Sequence, residues 1–334
     1  MGGIISDNLG RSSGLLKAAA GGIEVLTSDP TLTDGLVWYN SASNVLKVAR
    51  NIGAWSAGGT FPTGDYGMAG AGTLSAGLCW GGATGSRSNR SVEYDGTSWA
   101  AGNNLLVSIK FSKGFGIQTA AVGAGGDVGS GGVDSTYEYD GTSWTAGNGI
   151  GTTYSTSQSF GILTAGVLAG GIVGGSIAVT TKEYDGTSWG VGGDMATGSK
   201  DGASAGILTA GLVAGGYTSD EDDRTEEYNG TAWSTGGDLA EARSHTTGFG
   251  IQTSAIIASG TAQDGSRLTT SELYDGTSWS GGSAVTVARG EFAGSQNGTR
   301  SSGGYIVGGN SGPGLATTTE EYLEGLVART ITDT

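Results

Sequence analysis

The chain is short of the residues on which much protein chemistry depends. Among its 334 residues are one cysteine, one histidine and three prolines. A single cysteine excludes an intrachain disulfide, so packing alone must hold the fold. Cys79 lies in the apolar run AGLCWGG and reads as a buried, inert thiol. The lack of disulfides fits assembly in a reducing cytoplasm. One histidine with one cysteine cannot supply the usual zinc sets. A Ser-His-Asp triad would need His245, which EARSHTTG places in or near a strand, where a surface or pore-lining histidine with no role is expected. Basic residues are also scarce, 16 Lys and Arg against 31 Asp and Glu, for a formal charge of −15. That is a poor surface for nucleic acid or anionic lipid, which demand clustered cations. No apolar run approaches the ~20 residues of a membrane span. The opening MGGIISDNLGRSSGLLKAAAGG lacks the basic region and continuous apolar core of a secretory signal. MGGIIS matches the loose myristoylation pattern, but nothing polybasic follows it.

Glycine, by contrast, is abundant: 68 residues, roughly three times the usual share of about 7%. No strict G-X-Y period accompanies it, which excludes collagen. Twelve tyrosines and eight tryptophans argue against simple disorder. Many tight turns and close backbone approaches account better for the glycine.

Three markers recur in phase. Trp55, Trp99, Trp144, Trp189, Trp233 and Trp279 are spaced by about 45 residues. Tyr94, Tyr139, Tyr184, Tyr228 and Tyr274 each stand five positions before a tryptophan, and Tyr322 is a sixth. GTLS, GIQT or GILT begins at Gly72, Gly116, Gly161, Gly206 and Gly250, and Gly-Gly follows at 81, 125, 170, 215 and 308. The period is that of a propeller blade. The unit from Ser234 to Trp279 shows four short strands. SHTTGFGI forms the first, QT a turn, SAIIAS a doubly buried second. TAQDGSR is a loop, LTTSELY a third strand, and DGT turns the chain into a fourth that carries the tryptophan. Asp-Gly between Tyr and Trp signals a hairpin with positive φ at its central residues. The aromatics supply area that glycine cannot, and Gly-Gly marks crowding near a narrow axis.

Six such units favour an all-β, six-bladed propeller closed on itself, because closure removes exposed sheet edges. A linear solenoid is the alternative. The strand ending at Trp55 is expected to complete the last sheet; LVARTIT near the C-terminus is the competing candidate. The expected organisation is an anchoring arm (1–33), a β-hairpin and connection (34–50), the propeller (51–325) and a tail (326–334).

Gly-Gly, Tyr and Trp once per four-stranded unit resemble the kelch repeat over about residues 50 to 325. The five-residue Tyr-to-Trp step is shorter than usual for that family. This short form with YDGTSW is similar to kelch-like repeats in structural proteins of tailed bacteriophages, particularly marine ones. GLVWYNSASNVLKV, residues 35–48, resembles a hairpin module of tail-fibre and other virion proteins, and the opening segment is similar to N-termini of phage structural proteins. Two strands around an SASN turn follow from its residues alone.

The resemblance implies a non-enzymatic virion protein, assembled in the host cytoplasm. Ile4, Ile5, Leu9, Leu15 and Leu16 in the arm are expected to dock on other virion proteins or on another copy. The propeller would decorate the particle or bind a host surface glycan or protein through variable loops such as ATGSRSNR and YTSDEDDR. No cofactor, metal, nucleic acid or membrane insertion is expected. The acidic run Asp220–Asp223 reads as a solvated loop, since it lacks EF-hand spacing. Homo-oligomerisation is left open, because no coiled-coil heptads signal a trimer. A cellular kelch-type interaction module and a carbohydrate-active enzyme are the competing functions. Copper chemistry of the galactose-oxidase type lacks its histidines. The Asp-box of sialidases fails because Asp is followed directly by Gly.

Overall fold

A computed structural model describes residues 23–33 and 35–331, and the arm aliphatics Ile4 to Leu16 lie outside the described residues. The described chain is all-β. Its one helical element is a 3-10 turn at Arg300–Ser302. It divides into two units, residues 54–323 and residues 1–53 with 324–334.

In the larger unit, the repeat is built as anticipated. Five four-stranded antiparallel sheets occur among the described residues. Each strand set, a to d, follows chain order. In the fifth sheet the strands are Thr247–Ile251, Ser254–Ala258, Ser271–Tyr274 and Trp279–Gly281. Gln252 and Thr253 form the a–b turn, and the third strand is shorter than LTTSELY suggests. The equivalent first strands of sheets one to four are Tyr66–Thr73, Lys113–Ile117, Gln158–Ile162 and Ala203–Ile207. A sixth set has a two-residue first strand, Ala293–Gly294, then Gly304–Val307 and the strand beginning at Thr319. Its fourth place is taken by the strand Val45–Ala57, which carries Trp55 and lies beside the strand carrying Tyr322. Leu326 to Thr330 of LVARTIT do not fold back, because Thr319–Thr330 is one strand. First strands touch in series, from the first sheet to the sixth, and Ala293–Gly294 also touches Tyr66–Thr73.

Two sequence expectations change in detail. The Tyr–Trp hairpin has a four-residue connection in which only glycine takes positive φ, as at Gly96 (φ 89°). Asp95 instead accepts amide hydrogen bonds from Thr97 (2.8 Å) and Ser98 (2.7 Å). The geometry is an Asx turn, so aspartate works through its side chain rather than its φ. The first glycine of each pair crowds against the segment leading into the next sheet, and the second against the start of its own sheet, as Gly126 does against Ile109 and Ser112. A Cβ on Gly125 would meet the Tyr154 carbonyl at 2.6 Å, and one on Gly215 the Arg243 carbonyl at 2.6 Å.

Glycine also lets sheets nest. Phe160 of the third sheet fills the space above Gly211 of the fourth, where a Cβ would lie 2.0 Å from the ring. Phe115 meets Gly166 in the same way. Each such ring is fully buried, a burial that stabilises by about 1.5–3 kcal/mol.

The smaller unit holds the predicted hairpin. Val37–Asn40 pairs antiparallel with the strand from Val45, Val37 opposite Val48. Asn40 accepts from the amides of Ala42 and Ser43, and Asn44 turns with φ 55°. Glu24–Leu26 adds a parallel strand. Lys47 and Asp29 pair at 2.8 Å, and the Ile331 amide bonds the Leu46 carbonyl.

Candidate functional site

The repeated aromatics form clasps between neighbouring sheets. In the paired strands Tyr and Trp rings lie 4.6 to 5.2 Å apart, from Tyr94–Trp99 within a hairpin to Trp55–Tyr322 between strands from the two ends of the chain. The tyrosine hydroxyl then donates to the glutamate that precedes the tyrosine of the previous sheet. Tyr139 donates to Glu93, Tyr184 to Glu138, Tyr228 to Glu183 and Tyr274 to Glu227. The tryptophan N–H donates to a hydroxyl three positions before that same tyrosine. Trp144 uses Ser91, Trp189 Thr136, Trp233 Thr181 and Trp279 Thr225, all at 2.8 to 2.9 Å. The first sheet reaches the sixth by the same rule, with Tyr94 on Glu321 and Trp99 on Thr319. Burial, followed by the glutamate bond, pushes the Tyr94, Tyr228 and Tyr274 phenols up to about 12. Sequence spacing located these tyrosines and tryptophans but not their acceptors. The signal was present, in Glu–Tyr and in Ser or Thr two residues earlier.

At the start of each first strand lies a second repeated device. Gly67, Phe111, Thr156, Asp201, His245 and Glu291 all have φ between 51° and 66°. Their backbones bond in succession: Phe111 N–H to Gly67, Thr156 to Phe111, Asp201 to Thr156, then Thr246 to Asp201, Glu291 to His245 and Gly67 to Glu291. The succession returns to its origin. Five non-glycine residues in the left-handed region would each cost roughly 1–2 kcal/mol in isolation, which the bonds offset.

Side chains from this circle and Lys113 line a small recess with Met68 and Phe292. His245 Nε2 lies 3.7 Å from Asp201 and 3.9 Å from Glu291, while Nδ1 is 2.7 Å from the Ser244 hydroxyl. This is not a working triad. Ser244 is fully buried and its hydroxyl also donates to Glu221, so no substrate carbonyl can reach it. Desolvation lowers the Lys113 ammonium, against the pull of Asp201 and Glu291. Among the described residues no three His, Cys, Asp or Glu side chains gather to hold a metal.

The opposite end of the first strands is covered. The loop after Gly294 replaces the sixth a–b turn. Asn297 sends its amide N–H to the Gly72 carbonyl and its side chain to the carbonyls of Gly116 and Gly161. Gln296 reaches Thr247 and Arg300 the Tyr274 carbonyl. One loop thus bonds four other sheets, the first, second, third and fifth.

The b–c loops differ from sheet to sheet and brace one another. Arg87 pairs with Asp127 at 2.8 Å, and Gln263 donates to Asp220 at 2.7 Å. The acidic run is a loop only at Asp220, in the bend at 218–220; Glu221, Asp222 and Asp223 begin the strand Glu221–Tyr228. Asp222 pairs with Arg224, and Glu221 accepts from Ser244. Two arginines missed in sequence are fully buried. Arg243 meets Glu272, and Arg289 meets Glu320, both at 2.8 Å. Each also bonds three carbonyls and a threonine hydroxyl, at Thr270 or Thr318. Cys79 is buried 3.7 Å from the Tyr305 hydroxyl, and burial pushes its thiol up to about 12, which leaves it unreactive. No described helix is long and apolar enough to cross a membrane. Neither the known protein-family models nor the curated proteins contain a match to this sequence.

Proposed function

We propose that residues 54–323 close into a six-bladed, kelch-like β-propeller and that the chain is a non-enzymatic structural protein of a phage particle. The closed succession of backbone bonds from Gly67 through Glu291 back to Gly67 supports the ring, as does the Trp99–Thr319 bond between the first and sixth sheets. Closure leaves no sheet edge to be capped. Support for the structural role is the division of labour within one repeat. The a–b and c–d ends are nearly uniform and satisfied by internal bonds, whereas the b–c loops vary in length and charge. Rigid display of varied loops is the geometry of a binding scaffold. In this reading the arm anchors the chain to other virion proteins, and the b–c loops meet a host glycan or protein. The likeness of YDGTSW and of GLVWYNSASNVLKV to phage structural proteins supplies the particle.

Quantitative mass spectrometry of purified particles tests this. Hundreds of copies per particle would mean capsid decoration, and a small multiple of three or six a tail or fibre part. Absence from particles would overturn the virion role and favour a cellular interaction module.

A further inference from the structure

The end of the larger unit opposite the variable loops carries two repeated features that the fold does not require. Ile117, Ile162, Ile207 and Ile251 are the last residues of four successive first strands, yet they are 40% to 48% exposed. These strands touch in series, so the four side chains form an arc beside the Asn297 loop. The turn itself does not need isoleucine, because Thr73 occupies the same place in the first sheet. Outside the arc, at the same end, stand the hairpin carboxylates Asp95, Asp140, Asp185 and Asp275, all exposed. The two layers are in contact: a Cβ on Gly141 would lie 3.2 Å from Thr119, which follows Ile117 in its turn. The hairpin does not need a charge either. In the fourth sheet Asn229 accepts from the amides of Thr231 and Ala232 at 2.9 Å each, as each aspartate does in its own turn. Those amides hold the four aspartates below the usual carboxylate range.

An exposed apolar arc ringed by charge is the anatomy of a docking patch, with an apolar centre and a polar rim. A second copy of the chain would bring a like-charged rim against this one, which opposes self-pairing. We infer that this end of the propeller docks a protein surface of opposite character, an apolar knob set among lysines and arginines. The isoleucines supply desolvated contact and the aspartates orient the approach. The inference concerns a partner of the uniform face, not of the b–c loops, and stands apart from the virion reading.

The full chain is titrated with a fluorescent Leu/Lys amphipathic peptide, with oligolysine of equal charge, and with the Leu/Glu counterpart. The Leu/Lys peptide should bind at least about tenfold tighter than oligolysine, a margin of about 1.4 kcal/mol, and the Leu/Glu peptide should not bind. Combined Ile117→Ser, Ile162→Ser, Ile207→Ser and Ile251→Ser should erase that margin; the pair Ile117→Ser and Ile162→Ser serves if the fourfold variant unfolds. Asp95→Asn with Asp140→Asn, Asp185→Asn and Asp275→Asn should weaken binding and flatten its salt dependence with little change in melting temperature. Equal binding of peptide and oligolysine, or indifference to the isoleucine changes, would overturn the proposal. So would concentration-dependent dimerisation abolished by those changes, which would make the face a self-interface.

Discussion

Five of the contacts between neighbouring sheets carry the Tyr–Glu and Trp–hydroxyl clasp, and the contact between the fifth and sixth sheets does not. There Leu273 stands where the others have glutamate, and it joins Trp55, Phe249, Ile256 and Tyr322 in an apolar cluster. The Trp55 N–H is buried without a hydrogen-bond partner, and the hydroxyl at the matching position, Ser271, donates to the Ser283 carbonyl instead. The two sheets that meet there are the two that hold a buried arginine internally, Arg243 in the fifth and Arg289 in the sixth. In the fourth sheet Ser199 occupies the arginine position, and Glu226 accepts only the amides of Ala196 and Thr197. The difference teaches that a repeat array can secure itself in two ways. Polar clasps fix register between sheets, and buried ion pairs fix each sheet's lead-in segment to its own third strand.

The largest effects should come from breaking either device at its centre. Trp144→Ala removes a buried ring that packs at a tilt against Tyr139 and Trp80. The expected loss is about 3–5 kcal/mol, read as a fall in the denaturant midpoint; an unchanged midpoint would count against the clasp. Arg289→Met strands the Glu320 carboxylate, 2% exposed, and should cost about 3–5 kcal/mol at pH 7. Much of that loss should return when Glu320→Gln is added, which chemical denaturation of the double variant can measure.

A smaller effect separates the two kinds of contact directly. Trp189→Phe deletes a hydrogen bond to Thr136 and should cost about 1 kcal/mol beyond its packing change. Trp55→Phe deletes a donor that has no acceptor and should cost less than Trp189→Phe in matched urea titrations. Equal costs would mean that the tryptophan N–H bonds contribute nothing to the clasp.

The smallest effect is graded by pH. Tyr94, Tyr228 and Tyr274 hold their protons more tightly in the folded chain than at the ordinary value of 10.0. Their contribution is complete below about pH 10 and is lost as pH rises through about 12. Stability measured by urea midpoint should decline across that window. Tyr228→Phe should decline less steeply, and an identical slope would argue against a phenol–glutamate origin.

Much of this was legible in advance because the period exposes it. In the fifth unit the QT turn and the second strand fell where SAIIAS placed them, since an apolar run between turn signals admits few alternatives. The Trp55 strand could be assigned beside Tyr322 from a count of tryptophans. Other features were not legible. Nothing local in the sequence marks Arg243 and Arg289 as buried, because their carboxylate partners lie some thirty residues further on. Asp220 to Asp223 read as a loop, because acidic residues depress strand propensity and the long hairpin that overrides it depends on its partner strand.

The sequence by itself determined the unit, its four strands and its aromatic hairpin, since these rest on contacts between residues close in the chain. It also determined what chemistry is scarce, with one histidine and one cysteine. Tertiary structure decided which residues face one another across units: the glutamate under each tyrosine, the left-handed circle from Gly67 to Glu291, and the loop that places Asn297 against three other sheets. Those contacts join positions tens to hundreds of residues apart, so the distances that select them exist only once the sheets have packed.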